Sequence, residues 1–205
     1  MITVWGRPDS TNVRKVIWCL HELNLPFEHI LAGGQYGLIT SSEYLNMNPN
    51  ALVPCLKDNN FLLWESNTIL RFLVEKYGKQ SIYLSDIEIR YSAEKWMDWC
   101  LSTLVPNFRT IMLQLKLPKD QQNVDVLSNA ILVFEQKLEL LNEHLKYNKM
   151  IAGEDFSVAD IALGSYFHSW NKIKVKKNHN FPTIERWYAA LISRDAFKNI
   201  IPAED

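Results

Sequence analysis

Cysteine is scarce in this sequence: three residues, Cys19, Cys55 and Cys100, among 205. Their odd number and wide spacing, in apolar surroundings, speak against a disulfide framework and fit a reducing compartment. No C-x-x-C or H-E-x-x-H pattern occurs, so no metal site is expected. Neither sign of charge is in excess. The 22 Lys and Arg stand against 23 Asp and Glu, a formal net charge of −1, which excludes the basic footprint of a nucleic-acid binder. No apolar run approaches the ~18 residues a membrane helix needs, and Arg7 and Asp9 interrupt the stretch where a secretory h-region would lie. The expectation is a soluble, cytoplasmic protein, with neither a nucleic acid nor a membrane as partner.

What is present suffices for a core: 47% of residues are hydrophobic and 22% charged, ordinary globular usage. The two halves of the chain read differently. Ile2 to Gly6 is short and β-prone, a polar turn follows, and Val13, Val16, Ile17 and Leu20 then recur at helical spacing. Phe27 to Leu31 reads as a second strand, giving a βαβ opening. After a Gly-rich loop and a possible helical turn come two short strands around Pro54–Lys57 and Phe61–Trp64, with the turn signal DNN between them. Ser66 then reads as the N-cap of a helix carrying Ile69, Leu70, Leu73 and Tyr77 on one face and stopping at Gly78.

Beyond Gly78 strand signals cease. Residues 1–79 are expected to form an α/β domain, 80–87 a linker and 88–205 an all-helical domain. Phe134, Leu138, Leu141 and Leu145 repeat at helical spacing. Ser157 and Asp160 form the S-x-x-D pattern of a capping box, and Pro182 stands at the first position of a last helix. The basic run from Lys172 to His179 reads as a solvated loop.

Three features of the first half suit chemistry. Ser10-Thr11-Asn12 opens the first helix, where a hydroxyl beside backbone amides and the positive end of the helix dipole can stabilise an anion such as a thiolate; it is equally what an ordinary N-cap looks like. Val53-Pro54 leads into a strand, and a proline there can be cis or trans; a cis bond would turn the preceding residue's amide and carbonyl outward, ready to pair with an extended peptide. Glu65-Ser66-Asn67 precedes a helix. A serine with open amides suits a carboxylate and a neighbouring Glu suits an ammonium, so the group fits the zwitterionic end of an amino acid, or again simple capping.

The stretches WGRPDSTNVRKVIWCLHELNLPFE, NPNALVPCLKDNNFLLWESNTILRFLVEKYG and AGEDFSVADIALGSYFH together resemble the cytosolic glutathione transferases of the serine-type bacterial, theta, phi and delta kind. S-x-N-x-x-K at Ser10 is a weak signature by itself; V-P followed by L-W-E-S-N is specific, and S-V-A-D is an independent second mark. The resemblance implies a thioredoxin-like α/β N-terminal domain that binds glutathione as cosubstrate, and an all-α C-terminal domain supplying most of the pocket for a small electrophile. It also implies a homodimer. Carried over residue by residue, Ser10 matches the catalytic hydroxyl that hydrogen-bonds the glutathione sulfur, with Thr11 as runner-up. Val53 matches the residue whose backbone pairs with the cysteinyl unit, and Pro54 the cis-proline. Glu65 and Ser66 match the residues holding the γ-glutamyl amino and carboxylate groups, with Asn67 assisting. Ser157 and Asp160 match structural residues. Phe108 and Met112 are candidates for the apolar wall facing the electrophile.

The sequence departs from this pattern at Ala51 and Leu52, where many relatives carry a residue that contacts the glycyl carboxylate; Gln35 and Tyr36 are candidate substitutes. The resemblance implies a glutathione transferase involved in detoxification. Two other functions fit the same fold: a non-catalytic binding or interaction module, and a glutathione-dependent peroxidase or dehalogenase using the same thiolate. No G-x-S-x-G surrounds Ser10, which sets a serine-hydrolase nucleophile aside.

Overall fold

A computed structural model describes residues 1–78 and 82–200. The chain forms two compact units: Met1–Ser85 together with the segment from Ile192 onward, and Asp86–Leu191. Part of the expected 80–87 linker lies outside the described residues; Asp86 already caps the next helix.

The first unit holds a four-stranded sheet with order β2-β1-β3-β4. Strands β1 (Ile2–Trp5) and β2 (Phe27–Ile30) run parallel, joined through helix α1 (Thr11–Glu22). Helix α2 (Ser42–Met47) follows, then β3 (Cys55–Asp58), antiparallel to β1, and β4 (Phe61–Trp64), antiparallel to β3. Asn59, at φ 54°, makes the hairpin turn in the left-handed region that Asn tolerates better than most residues. Helix α3 (Ser66–Tyr77) closes the unit. Strand alternation divides the burial. Val4 pairs with Leu56 on one face, where Asp58 two residues on reaches Lys76 and Tyr77 of α3. Trp5 pairs with Cys55 on the other, packing with Ala32, Tyr44 and Met47. Gly6 is required at the β1–α1 corner: a Cβ there would stand 2.3 Å from a methyl of Val13.

The second unit is helical. Helix α4 (Ile87–Trp99) continues through one wide turn, Cys100–Leu104, into α5 (Val105–Lys116). The wide turn lies just before Pro106, which has no N–H to give a regular ladder, and the Val105 amide reaches back five residues to Cys100. Helices α6 (Val124–His144), α7 (Val158–Lys172) and α8 (Pro182–Ile192) complete it. Phe134, Leu138 and Leu141 of α6 are buried, as their spacing predicts, and so is nearly all of α7. The capping box is formed: Asp160, fully buried, accepts from the amide and hydroxyl of Ser157 at 2.9 and 3.0 Å, from the Ile151 amide at 2.9 Å and from Trp187 Nε1 at 2.8 Å.

The short helix α9 (Asp195–Lys198) returns to the first unit, so the segment from Ile192 does not group with the helical domain expected over 88–205. Phe197 packs edge-on against Trp18 of α1 at 4.7 Å, both fully buried, and the Arg194 guanidinium grips Glu22 with two bonds of 2.6 and 2.7 Å.

Candidate active site

Three segments of the first unit carry the expected groups. At the start of α1, Ser10 is the N-cap, half-buried and extended, and its Oγ accepts from the Val13 amide at 3.4 Å. That bond uses an oxygen lone pair and leaves the hydroxyl proton to donate. The helix directs its positive end toward the same place.

The second segment is the loop into β3. The Val53–Pro54 bond is cis. The preceding turn is clamped: the Leu52 carbonyl accepts from Tyr44 Oη at 2.7 Å and from Asn48 Nδ2 at 2.8 Å, while Ala51 sits at φ 53°. The amide and carbonyl of Val53 make no hydrogen bond among the described residues. They offer the edge an extended peptide can pair with. The neighbouring Cys55 thiol is buried, which pushes its pKa up to about 11, and burial raises Cys19 further; both stay protonated and inert at neutral pH.

The third segment opens α3. Here Glu65, not Ser66, is the N-cap; Ser66 is the first helical residue. Glu65 takes φ 70°, which an L residue adopts only under strain, its side chain makes no capping bond, and it is exposed. Ser66 and Asn67 are buried above Lys15 of α1, itself fully buried. Lys15 Nζ donates to Asn67 Oδ1 at 3.0 Å and reaches Ser66 Oγ at 3.4 Å, and Ser66 Oγ donates to Asn12 Oδ1 at 3.2 Å. A buried ammonium beneath a helix N-terminus gives this end of the cleft a positive potential, with the Glu65 carboxylate beside it. The arrangement accommodates an anion and a cation side by side.

Val53, Pro54, Glu65 and Ser66 line one small cleft together with Asn12 and Asn48. Ser10 does not line it but stands two residues before Asn12 at the same helix end. Asn67 does not line the cleft; it is buried and accepts from Lys15 Nζ. Gln35 and Tyr36 are exposed on a short helical turn, Gly34–Tyr36, and are not among the cleft residues. Phe108 and Met112 belong to the second unit. Phe108 is buried against Phe134 and Tyr166, and Met112 is half-buried. No group of His, Cys, Asp and Glu suited to a metal occurs among the described residues, and no described helix is long and apolar enough to cross a membrane.

Sequence reasoning gave no role to Lys15, Asn48 and Tyr44. Lys15 had a signal, as the K of the S-x-N-x-x-K pattern at Ser10. The Tyr44 and Asn48 clamp depends on a loop closing back on a helix, and left none.

Comparison with known proteins gives the following. A family model for "Glutathione S-transferase, N-terminal domain" matches residues 5–81, and one for "Glutathione S-transferase, C-terminal domain" matches 94–195. The chain is 36% identical over 204 residues to Glutathione S-transferase GstB of Escherichia coli K12, covering 98% of each. It is 28% identical over 191 residues to Glutathione S-transferase D6 of Drosophila melanogaster, covering 90% of this chain and 84% of the relative. Among solved structures it is similar to the theta class glutathione S-transferase of Xanthomonas axonopodis pv. citri with glutathione bound, with TM-score 0.93 at 31% identity over 98% of each chain.

Proposed function

Because the chain belongs to the glutathione S-transferase family and is a glutathione transferase, we propose the following division of labour for its site. Glutathione lies along the cleft. Its γ-glutamyl ammonium pairs with Glu65 and its γ-glutamyl carboxylate with Ser66 and the N-terminus of α3, while Asn67 and Lys15 hold Ser66 in place. Its cysteinyl backbone pairs with Val53 as an added strand, which Pro54 and the Leu52 clamp present. The single observation that carries this reading is the cleft itself: one concavity joins an unpaired backbone edge, an exposed carboxylate and a buried hydroxyl above a buried ammonium. Glutathione offers the complementary groups in that order.

The chemistry follows from Ser10. A free thiol has a pKa near 8.5 and is mostly protonated at neutral pH. A hydroxyl proton and the positive end of α1 aimed at the sulfur favour the thiolate, at about 1.4 kcal/mol per pKa unit. The thiol proton leaves to solvent. The sulfur lone pair then forms a bond to an electrophilic carbon, and the leaving group departs with the bonding electrons or, in an addition, the acceptor takes them up. The protein supplies orientation and anion stabilisation, without a covalent intermediate of its own. The electrophile we propose is small and hydrophobic, with Met112 as the member of the expected apolar pair that has surface to offer it.

An ultraviolet pH titration of the bound glutathione thiol, run beside Ser10→Ala, tests the assignment. A thiol that ionises below its free value in the parent and returns toward it in the variant supports Ser10; an unshifted thiol in the parent defeats it. Family membership favours transfer over the non-catalytic module and over peroxide reduction or dehalogenation. We also propose a homodimer, which gel filtration reads directly, and a cytoplasmic location, in keeping with three buried free cysteines.

A further inference from the structure

One end of glutathione is left without a partner by the placement above. With Glu65 and Ser66 assigned to the γ-glutamyl group and Val53 to the cysteinyl backbone, the cleft residues left for the third residue are Asn48, Asn50 and Leu52, which precede Val53 in the chain. A free glycyl carboxylate is best held by a cation, and no Lys, Arg or His is among the described residues lining the cleft. The sequence around it agrees. No Lys, Arg or His stands between His29 and Lys57, a stretch that supplies the Gly34–Tyr36 turn, α2 and the clamped loop, and its one charged residue is an acid, Glu43. Lys15 lies buried under Ser66 at the γ-glutamyl end, and Arg7, on the turn before α1, pairs with Asp9 at 2.5 Å.

What this wall offers instead is an amide. The Leu52 carbonyl can only accept, so the Asn48 side chain must present Nδ2 to it, at 2.8 Å, and turn Oδ1 toward Asn50. That oxygen takes the Asn50 backbone amide at 3.1 Å and Asn50 Nδ2 at 3.0 Å. Asn48 is buried, so the Asn50 side chain is oriented from beneath while the residue itself stays exposed at the cleft. The second Nδ2 proton of Asn50 and its Oδ1 have no partner among the described residues. One donor and one acceptor side by side match a primary carboxamide, which carries both. A carboxylate carries acceptors only and sets its charge against the Asn50 oxygen. Leu52, 63% exposed, adds an uncharged flank.

We propose that this site accepts, as well as glutathione, γ-glutamylcysteinyl thiols whose third residue ends in a neutral carboxamide, and that Asn50 is the residue that reads this end. The proposal rests on the placement of glutathione given above. The γ-glutamyl contacts and Ser10 serve both thiols alike; the difference lies in the third residue, whose charge is worth little against an exposed wall without a cation.

The test is calorimetric titration of the full chain with S-methylglutathione and with its glycyl carboxamide. The carboxamide should bind within about threefold of the free acid, or more tightly. Leu52→Lys sets a cation on the same wall and keeps the backbone carbonyl that Tyr44 and Asn48 clamp. It should move the ratio of affinities toward the free acid by about fivefold, the order of an exposed ion pair. Asn50→Asp, which sets a carboxylate there instead, should move the ratio the other way. Should Asn50→Asp fail to fold, Leu52→Lys decides alone. A carboxamide bound more than about threefold more weakly than the free acid by the parent would overturn the proposal, as would a ratio that the folded variants do not move in these directions. If neither ligand binds, the placement of glutathione fails and this proposal with it; if the free acid binds and the carboxamide is rejected, this proposal alone fails.

Discussion

Helices α3 and α7 begin on the same kind of sequence, a serine with an acidic neighbour, and use it in opposite ways. At α7 the polar groups turn inward: Asp160 collects four donors, two of them from Ser157, and nothing is left for a ligand. At α3 the acidic residue turns outward. The Glu65 side chain makes no capping bond, its backbone is left-handed and it stays exposed, while Ser66 is steadied from beneath by Lys15. The comparison separates a structural helix start from the one we propose as binding: the first caps itself with its own side chains, and the second makes no side-chain cap and stores local strain.

The largest effect that would sharpen this contrast belongs to α7. Asp160→Ala leaves the Ile151 and Ser157 amides, the Ser157 hydroxyl and the Trp187 indole without their buried acceptor, at a cost of about 3–5 kcal/mol. Urea unfolding measures it, and glutathione affinity per folded molecule should stay unchanged. A loss of under about 1 kcal/mol would break the claim that α7's start is structural.

The counterpart at α3 is Glu65→Gly. It removes the carboxylate we assign to the γ-glutamyl ammonium and also relieves the φ of 70°. Glutathione affinity should fall by about 1.5–3 kcal/mol, the worth of a charged hydrogen bond, while the unfolding midpoint holds or rises. Calorimetry and urea unfolding on one preparation read both. A variant that loses stability and keeps affinity would place Glu65 in the same class as Asp160.

These two helix starts also show what was legible in the sequence. Strands, helices and the capping box were, because alternation, periodicity and S-x-x-D are local patterns. The α3 cap was misplaced by one residue because Ser is a commoner cap than Glu, and only a backbone angle moves the boundary. Lys15 stands in the S-x-N-x-x-K pattern, but its burial against Asn67 appears only when α1 and α3 are brought together. The return of α9 was not legible at all. Arg194 and Glu22 lie 172 residues apart, and no short-range pattern marks a contact of that separation. Of the site, the residue types at Ser10, Val53-Pro54 and Glu65-Ser66 stood in the sequence, but the unpaired Val53 edge and the clamp on Leu52 required tertiary contacts.

The smallest effect separates the two units by the sign of a pH slope. Burial works to raise Asp58 of β3, but hydrogen bonds from Lys76 and Tyr77 hold its carboxyl below the ordinary aspartate range; at Asp160 burial prevails over its four donors and the carboxyl is raised. Asp58 therefore contributes stability that is present above the unfolded pKa of about 3.9 and lost as pH falls through its lowered folded value. Asp160 contributes in the reverse sense, fully below about 3.9 and lost as pH rises through its raised folded value. Asp58→Asn should cost about 1 kcal/mol or less near neutrality, because Lys76 is 43% exposed and screened by salt. Its gap to the parent should close as urea midpoints are followed into acid, whereas the gap for Asp160→Asn should widen. Parallel gaps for the two variants would remove the distinction between a carboxylate paired to a cation and one held by dipoles alone.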